Sequence, residues 1–333
     1  MNARTEFPVL IHAFFSDWLG RERDLSAHTI RSYRDTWRLF LRFLEQHRSR
    51  SVQRLALSDL SAADVLAFLE HQEREHHISN GTRNCRLAAV RALFDYAARR
   101  DPSVIAHAAE IRRIPRKRGV QRPICYLEQS EIDALLVQPD RSTPEGQRDH
   151  ALIAFLYNTG ARIQEALDLC PQAVRFDTPS SVRLLGKGRK ERICPLWPET
   201  TELLSALLKR QPRAPDQPIF VNRYGASLGA SGVRVKLRQY VAGAAKIVPS
   251  IADKRISPHT FRHSTAVHLI ASGVDITVIR SWLGHVDLET TAHYAQANLE
   301  TKRKALERVA PPLTNRRARW KRDANVLSWL DSL

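Results

Sequence analysis

The stretch 111–123, IRRIPRKRGVQRP, constrains this chain more than any other. It holds six Lys/Arg, no acid, two prolines and a glycine. Proline removes a backbone donor and breaks helices, and like charges repel and extend the chain. A single core cannot run through such a segment. The 333 residues must therefore fold on either side of it, in line with a length of about 150 residues per domain. This predicts an N-terminal domain over 1–110, a basic linker over 111–123, a larger domain over 124–310 and a tail over 311–333.

Charge narrows the partners. The formal net charge is +17, of which 1–120 carries +7 and 121–333 carries +10. Both halves are basic, as expected if both touch one long anion, and nucleic acid is the commonest such partner. The linker itself suits a nucleic-acid backbone. Cys85, Cys125, Cys170 and Cys194 form no CxxC pair, which excludes a Cys-rich zinc site. So few cysteines in so long a chain argue against a disulfide scaffold and fit a reducing cytosol. The apolar patch from Phe7 to Phe15 contains Pro8 and His12 and runs into Asp17 without a small-residue cleavage site, so it does not read as a signal peptide. No apolar run is long enough for a membrane span.

The first hundred residues read as a small helical bundle. From Ser26 to about Gln46, apolar or aromatic residues fall at Ile30, Tyr33, Trp37, Phe40, Leu41 and Leu44, which is one helical face. Ser61-x-x-Asp64 resembles a capping box opening a second helix to about Arg74. A third covers Thr82–Arg100, and an earlier one about Val9–Leu19. Arg31, Arg34, Arg38 and Arg42 line the polar side of one helix, and Arg83, Arg86 and Arg91 are available on another. These rows have two readings, a solvated face and a phosphate-contacting face.

Past the linker, helices are predicted near Gln129–Val137 and Gly146–Tyr157, with a break at Thr159-Gly160 and a restart near Arg162. Residues 181–196, SVRLLGKGRKERICPL, read as a β-hairpin turning at Gly-Lys-Gly. Helices resume near Thr200 and Gly232. The stretch 257–297 reads as three short helices divided at Gly273 and Gly284. The tail begins Pro311-Pro312, passes a basic cluster and ends in an amphipathic segment, Val326 to Leu333.

Chemistry concentrates near 257–294. In SPHTFRH, Ser257 can cap and Pro258 suits the first helical position. His259 and Arg262 then share one face at a helix N-terminus, where free N–H groups and the helix dipole favour a phosphate. Arg adds a fixed donor fork for phosphate oxygens. His259 and His263 also have the i, i+4 spacing of two zinc ligands, but Thr260 stands where a zinc protease needs its glutamate base. In WLGHVDLETTAHYAQ, Gly284 can end one helix and Asp287 start the next, which places His285 in a tight turn and Tyr294 on the following helix.

The order Arg162 (in TGARIQEAL), Lys187 (in LLGKGRKERICPL), His259-x-x-Arg262, Leu283-Gly284-His285 and Tyr294 resembles the tyrosine recombinase family, the phage-integrase type that includes the Xer recombinases. The resemblance covers about 124–307 and extends more loosely to LSAHTIRSYRDTWRLFLRFL, which looks like the family's core-binding domain. Arg262 and Tyr294 stand 32 apart, and His285 and Tyr294 nine apart, as is usual there. Ala161 and Gln164 depart from the commonest wording around the first arginine but do not touch the chemistry.

The resemblance implies a multidomain, mainly α chain. An N-terminal helical bundle would serve as core-binding domain, and a mixed α+β catalytic domain would carry a small antiparallel sheet. It implies a site-specific DNA recombinase or integrase that cleaves strands through a 3′-phosphotyrosyl intermediate, without metal, ATP or other cofactor. Arg162 and Arg262 would grip the non-bridging phosphate oxygens, each charge-assisted hydrogen bond contributing about 1.5–3 kcal/mol. Tyr294 would attack phosphorus. Ionising a free tyrosine at pH 7 costs about 4 kcal/mol, which a base and a cationic pocket reduce. His259 is the base candidate, Lys187 would protonate the leaving 5′-oxygen, with Lys190 a nearby competitor for that role, and His285 would bind the phosphate or buttress Tyr294. The partners implied are double-stranded DNA and a homo-tetramer, or a hetero-tetramer with related recombinases, on two DNA sites, in the cytoplasm. The segment Val326, Leu327, Trp329 and Leu330 is expected to dock on a neighbouring protomer or on its own domain. The competing readings are a type IB topoisomerase-like relaxase and a catalytically inactive DNA-binding regulator on the same fold.

Overall fold

A computed structural model of the chain describes residues 7–48, 55–119, 123–186 and 190–284. The chain divides into two compact units, Met1–Gln121 and Arg122–Leu333.

The first unit is helical. Helix α1 spans Phe7–Ala13 and continues in wider π turns from Phe14 to Glu22. It is followed by α2 (Ala27–Arg48), α3 (Ala62–His76), α4 (Asn80–Arg100) and α5 (Ile105–Arg113). The starts follow from side-chain caps. Ser61 Oγ accepts from the Asp64 amide at 3.2 Å while the Asp64 carboxylate accepts from the Ser61 amide at 2.8 Å. Ser26 and Ser79 do the same for α2 and α4, each accepting from the amide three residues on at 3.2 Å. The apolar face read from the α2 sequence packs inward: Trp37, Phe40 and Leu44 are buried with Phe68, Val90 and Phe94. Trp37 Nε1 also donates to the Ala89 carbonyl at 3.2 Å, which ties α2 to α4.

The expected linker opens inside this unit. Ile111–Arg113 form the last turn of α5, and the basic residues after it lie along α4. Asn84 accepts from the Lys117 amide at 3.0 Å and donates to its carbonyl at 2.8 Å. Asn80 donates to the Arg118 carbonyl at 2.8 Å, and Arg83 Nη1 to that of Pro115 at 3.2 Å. Lys117 Nζ sits 2.8 Å from the Glu73 carboxylate. Arg91 caps the end of α5, donating to the carbonyls of Ile111, which also accepts from the Ile114 amide, and of Arg112 and Ile114. Charge repulsion along the segment is thus offset by donors that wait for its carbonyls. Of the arginines in two readings, Arg83 and Arg91 hold their own chain and Arg86 donates to Gln72. Arg31, Arg38 and Arg42 stay exposed, and Arg34 pairs with Asp35 at 2.8 Å.

The second unit is helical around a small sheet. It contains α6 (Gln129–Leu136), α7 (Pro144–Thr159), α8 (Ile163–Leu167), β1 (Val174–Arg175), β2 (Ser181–Leu185), β3 (Glu191–Pro195), α9 (Pro198–Arg210), α10 (Ala230–Ala244), α11 (Pro258–Ala271) and α12 (Ile276–Leu283). The three strands are antiparallel in the order β1-β2-β3. The predicted hairpin is β2–β3, in register from Ser181↔Pro195 to Leu185↔Glu191; β1 was not foreseen. Leu152, Phe155, Val182, Leu184, Phe220 and Phe261 share the core that joins sheet and helices.

Candidate active site

Three chain turns build the site. The first is the exit from α7. Gly160 closes that helix at φ +59°, a left-handed conformation that glycine adopts without strain. A Cβ there would stand 2.5 Å from Leu283 Cδ2, so two segments meet at this point because no side chain intervenes. Two residues on, Arg162 is the N-cap of α8. Its amide donates to Glu165 Oε2 at 2.9 Å and its Nη1 to Glu165 Oε1 at 2.8 Å, with the guanidinium about one-third exposed.

The second turn starts α11. Pro258 occupies the first helical turn, and Thr260 Oγ1 accepts from the Ser257 amide at 3.0 Å. This aims His259 outward and Arg262 inward. Arg262 is 1% exposed. It donates from Nη1 to the Gly160 carbonyl at 2.7 Å and from Nη2 to the Leu283 carbonyl. It therefore bridges the first turn to the third, the end of α12, which closes at Gly284 with φ +64°.

His259 is exposed, yet the protein around it displaces water and lowers its pKa, and the charges of Arg262 and Arg162 lower it further. The imidazole is thus held neutral and able to accept a proton. Its ring meets that of His263 edge-on, centroids 4.7 Å apart at 82°. Burial, then the charges of His259 and Arg262, push His263 down to about 4. Among the described residues no group of three His, Cys, Asp or Glu is arranged to hold a metal ion.

Arg162, His259 and Arg262 are therefore brought together. Lys187, His285 and Tyr294 lie outside the described residues, as does the tail 311–333. Their immediate neighbours are described: the Gly186 amide donates to the Lys190 carbonyl at 2.8 Å, closing the base of the hairpin tip, and Gly284 ends α12.

Two residues that the sequence reading missed complete the arrangement. Glu165 is buried. Burial alone would raise its pKa, but hydrogen bonds and charge from Arg192, then the bonds from Arg162, bring it below the usual carboxylate range. Arg192, 8% exposed, reaches Glu165 Oε2 with Nη2 at 2.5 Å and the Trp282 carbonyl with Nε at 2.9 Å. A signal existed for Glu165, which stands three residues after Arg162; Arg192 had none, since only the observed burial of β3 turns Arg192 and Cys194 inward and Ile193 to solvent.

The family model for the phage integrase family matches residues 125–301, and that for the N-terminal SAM-like domain of phage integrases matches 12–101. This chain belongs to the phage integrase family. A putative integrase/recombinase of Sinorhizobium fredii is 38% identical over the whole of both chains. The tyrosine recombinase XerC of Rhodospirillum centenum is 34% identical over 95% of this chain and 89% of its own. Among solved structures, the XerH site-specific recombinase bound to palindromic difH substrate in a post-cleavage complex shares the fold at TM-score 0.67 and 22% identity, over 86% of this chain and 81% of that one. The Tn1549 transposon integrase in complex with transposon right end DNA does so at TM-score 0.65 and 18% identity, over 90% and 98%. This phage integrase is accordingly a site-specific recombinase with a mainly helical fold and a three-stranded antiparallel sheet. Among the described residues no helix is long and apolar enough to cross a membrane.

Proposed function

We propose that this recombinase cleaves double-stranded DNA through Tyr294, with Arg162, Lys187, His259, Arg262 and His285 completing the site. The observation that carries the reading is the convergence of Arg162, Arg262 and a neutral His259 at the junction of α7, α8, α11 and α12. A phosphodiester is already anionic and gains charge on its oxygens as a nucleophile approaches. Two fixed guanidinium groups stabilise that charge where it develops. His259 accepts the phenolic proton as Tyr294 Oη bonds to phosphorus. The bond to O5′ breaks, and Lys187 Nζ supplies its proton. The products are a 3′-phosphotyrosyl ester and a free 5′-hydroxyl. A 5′-hydroxyl from another strand reverses the step, so the ester conserves the bond and no ATP is consumed. Strand exchange between two sites needs four such centres, hence a tetramer on two DNA sites. The basic charge on both sides of the linker suits one duplex held by the two domains, 1–110 and 124–310, and the reaction belongs in the cytoplasm with the chromosome.

The test is a covalent trap. Labelled, nicked duplexes tiled across the flanks of the protein's own gene are incubated with wild type and with Tyr294→Phe, then denatured in SDS. A labelled adduct with wild type and none with Tyr294→Phe is expected. An adduct formed equally by both would overturn the nucleophile assignment. Relaxation of supercoiled plasmid with no preferred site would instead favour a topoisomerase-like activity.

A further inference from the structure

Arg192 is a buried arginine that the cleavage scheme above does not use. Its neighbours Glu165, Trp282, Gly284 and Gly186 belong to three different segments, each of which carries or leads to a residue assigned to the chemistry. Nη2 donates to Glu165, which in turn holds both the amide and the guanidinium of Arg162. Nε donates to the carbonyl of Trp282, next to the Leu283 carbonyl that Arg262 uses. Cys194 Sγ, two residues along the same strand, reaches the same Trp282 carbonyl at 3.3 Å. A Cβ on Gly284, the residue before His285, would stand 3.0 Å from Arg192 Cδ. A Cβ on Gly186, the residue before Lys187, would stand 3.5 Å from Arg192 Nη1 and 3.4 Å from Glu165 Oε1. Both flanking glycines thus allow the backbone to close onto the Arg192–Glu165 pair.

Stability does not explain such a pair. Removing two charges from water is expensive, and replacing a buried ion pair by packed apolar groups is often neutral or stabilising. The strand pattern reinforces this. Ile193, 71% exposed, stands beside Arg192, so the apolar residue faces water while the charged one faces the protein. What the pair supplies is geometry, because a guanidinium fork fixes the direction of each acceptor.

We propose that Arg192 is a positioning residue for strand cleavage. It fixes Glu165, and through it Arg162, against the end of α12, so that the arginine receiving the scissile phosphate stays in register with the segment leading to His285. This rests on the reading of Arg162 as a phosphate-binding residue. The groups that face Glu165 are Arg162 at the start of α8, and Arg192 and Cys194 of β3, and the charge of Arg262 of α11 also acts on Cys194. Without Arg192, burial dominates and the carboxyl titrates at higher pH.

The experiment uses the full chain and a duplex on which wild type forms the covalent adduct and Tyr294→Phe does not, so the cleavage scheme is tested before the variants are compared. Arg192→Met, Arg192→Lys, Glu165→Gln and the double variant Arg192→Met/Glu165→Gln are measured for unfolding midpoint and for single-turnover adduct formation at saturating DNA, from pH 6 to 8.5. Arg192→Met is expected to slow adduct formation at least 30-fold at pH 7 with DNA affinity within threefold. Its rate should rise with pH where the wild-type rate is flat, as Glu165 ionises and recovers Arg162. The double variant, relieved of a buried carboxylate that has lost one of its two guanidinium partners, should regain the unfolding midpoint but not the rate, and Arg192→Lys should regain part of the rate. Recovery of the rate together with the midpoint in the double variant would show a merely structural role and overturn the proposal. A pH profile of Arg192→Met parallel to wild type would overturn it too.

Discussion

The two units of this recombinase use arginines that donate to backbone carbonyls for different ends. In the first unit, Arg83 and Arg91 donate to carbonyls of Ile111, Arg112, Ile114 and Pro115, the chain that leaves α5. Their charge is spent on the protein's own backbone. In the second unit, Arg262 and Arg192 also take backbone carbonyls, those of Gly160, Leu283 and Trp282, but these carbonyls belong to turns that carry Arg162 or precede His285. The same bond type therefore ends in a tethered strap in one unit and a shaped cationic site in the other. The difference lies in where the acceptor sits, since an arginine against a helix end organises whatever follows that end.

Several changes should break or sharpen this contrast. The largest effect belongs to His259→Ala, which removes the proposed base without touching the arginine bridges. Adduct formation should slow by about 10²–10⁴-fold with DNA binding unchanged, read by single-turnover trapping. In wild type the lowered pKa of His259 keeps it neutral at pH 7, so the rate should hold on acidification to pH 6.5 and fall only below it.

Next comes the pH dependence of stability. His263, held near 4 when folded, is half-buried and neutral, so the unfolded chain binds more protons between about pH 6.5 and pH 4. Its contribution is present above 6.5 and is lost as pH falls towards 4, amounting to about 1–2 kcal/mol in urea titrations once solvent screening of this half-buried ring is allowed for. His263→Gln should flatten that slope. Glu165 behaves with the usual carboxylate sign: its stabilisation is present above about pH 4.3 and is lost as pH falls through its depressed folded value.

Gly160→Ala probes the site's backbone. A side chain at φ +59° is strained and meets Leu283, so the variant should lose about 1–3 kcal/mol and cleave more slowly. The smallest effect is expected in the strap. Asn84→Ala removes two bonds to Lys117 and should cost about 1 kcal/mol. Trypsin should then cut faster between 116 and 119, while adduct formation stays unchanged.

Much of this was legible in the sequence. The 3.6-residue spacing of Trp37, Phe40 and Leu44 gave α2 its inner face, Ser61 and Asp64 marked the start of α3, and Gly-Lys-Gly marked the hairpin turn, because each signal is local. Ser257-Pro258 placed His259 and Arg262 in the first turn of one helix for the same reason, although the structure leaves His259 exposed and buries Arg262. What stayed hidden depends on partners far along the chain. Nothing near Arg91 announces that carbonyls more than 20 residues away will take its donors. The basic run at 111–118 reads as repelling and extended until Asn80, Asn84 and Glu73 are seen to hold it. On β3, hydrophobicity alone would turn Ile193 inward, whereas Glu165 and the Trp282 carbonyl draw Arg192 there instead.

The contrast between the units comes down to one side-by-side measurement, the single-turnover rate of adduct formation by Arg262→Ala and Arg91→Ala at saturating DNA. Both variants lose a guanidinium that donates to backbone carbonyls, buried in Arg262 and half-buried in Arg91, at about 1–3 kcal/mol for each group left unsatisfied. If Arg262 also stabilises the phosphate in the transition state, its variant falls by 10³-fold or more while Arg91→Ala stays within threefold of wild type. Equal losses in the two variants would mean that Arg262, like Arg91, only holds the chain together.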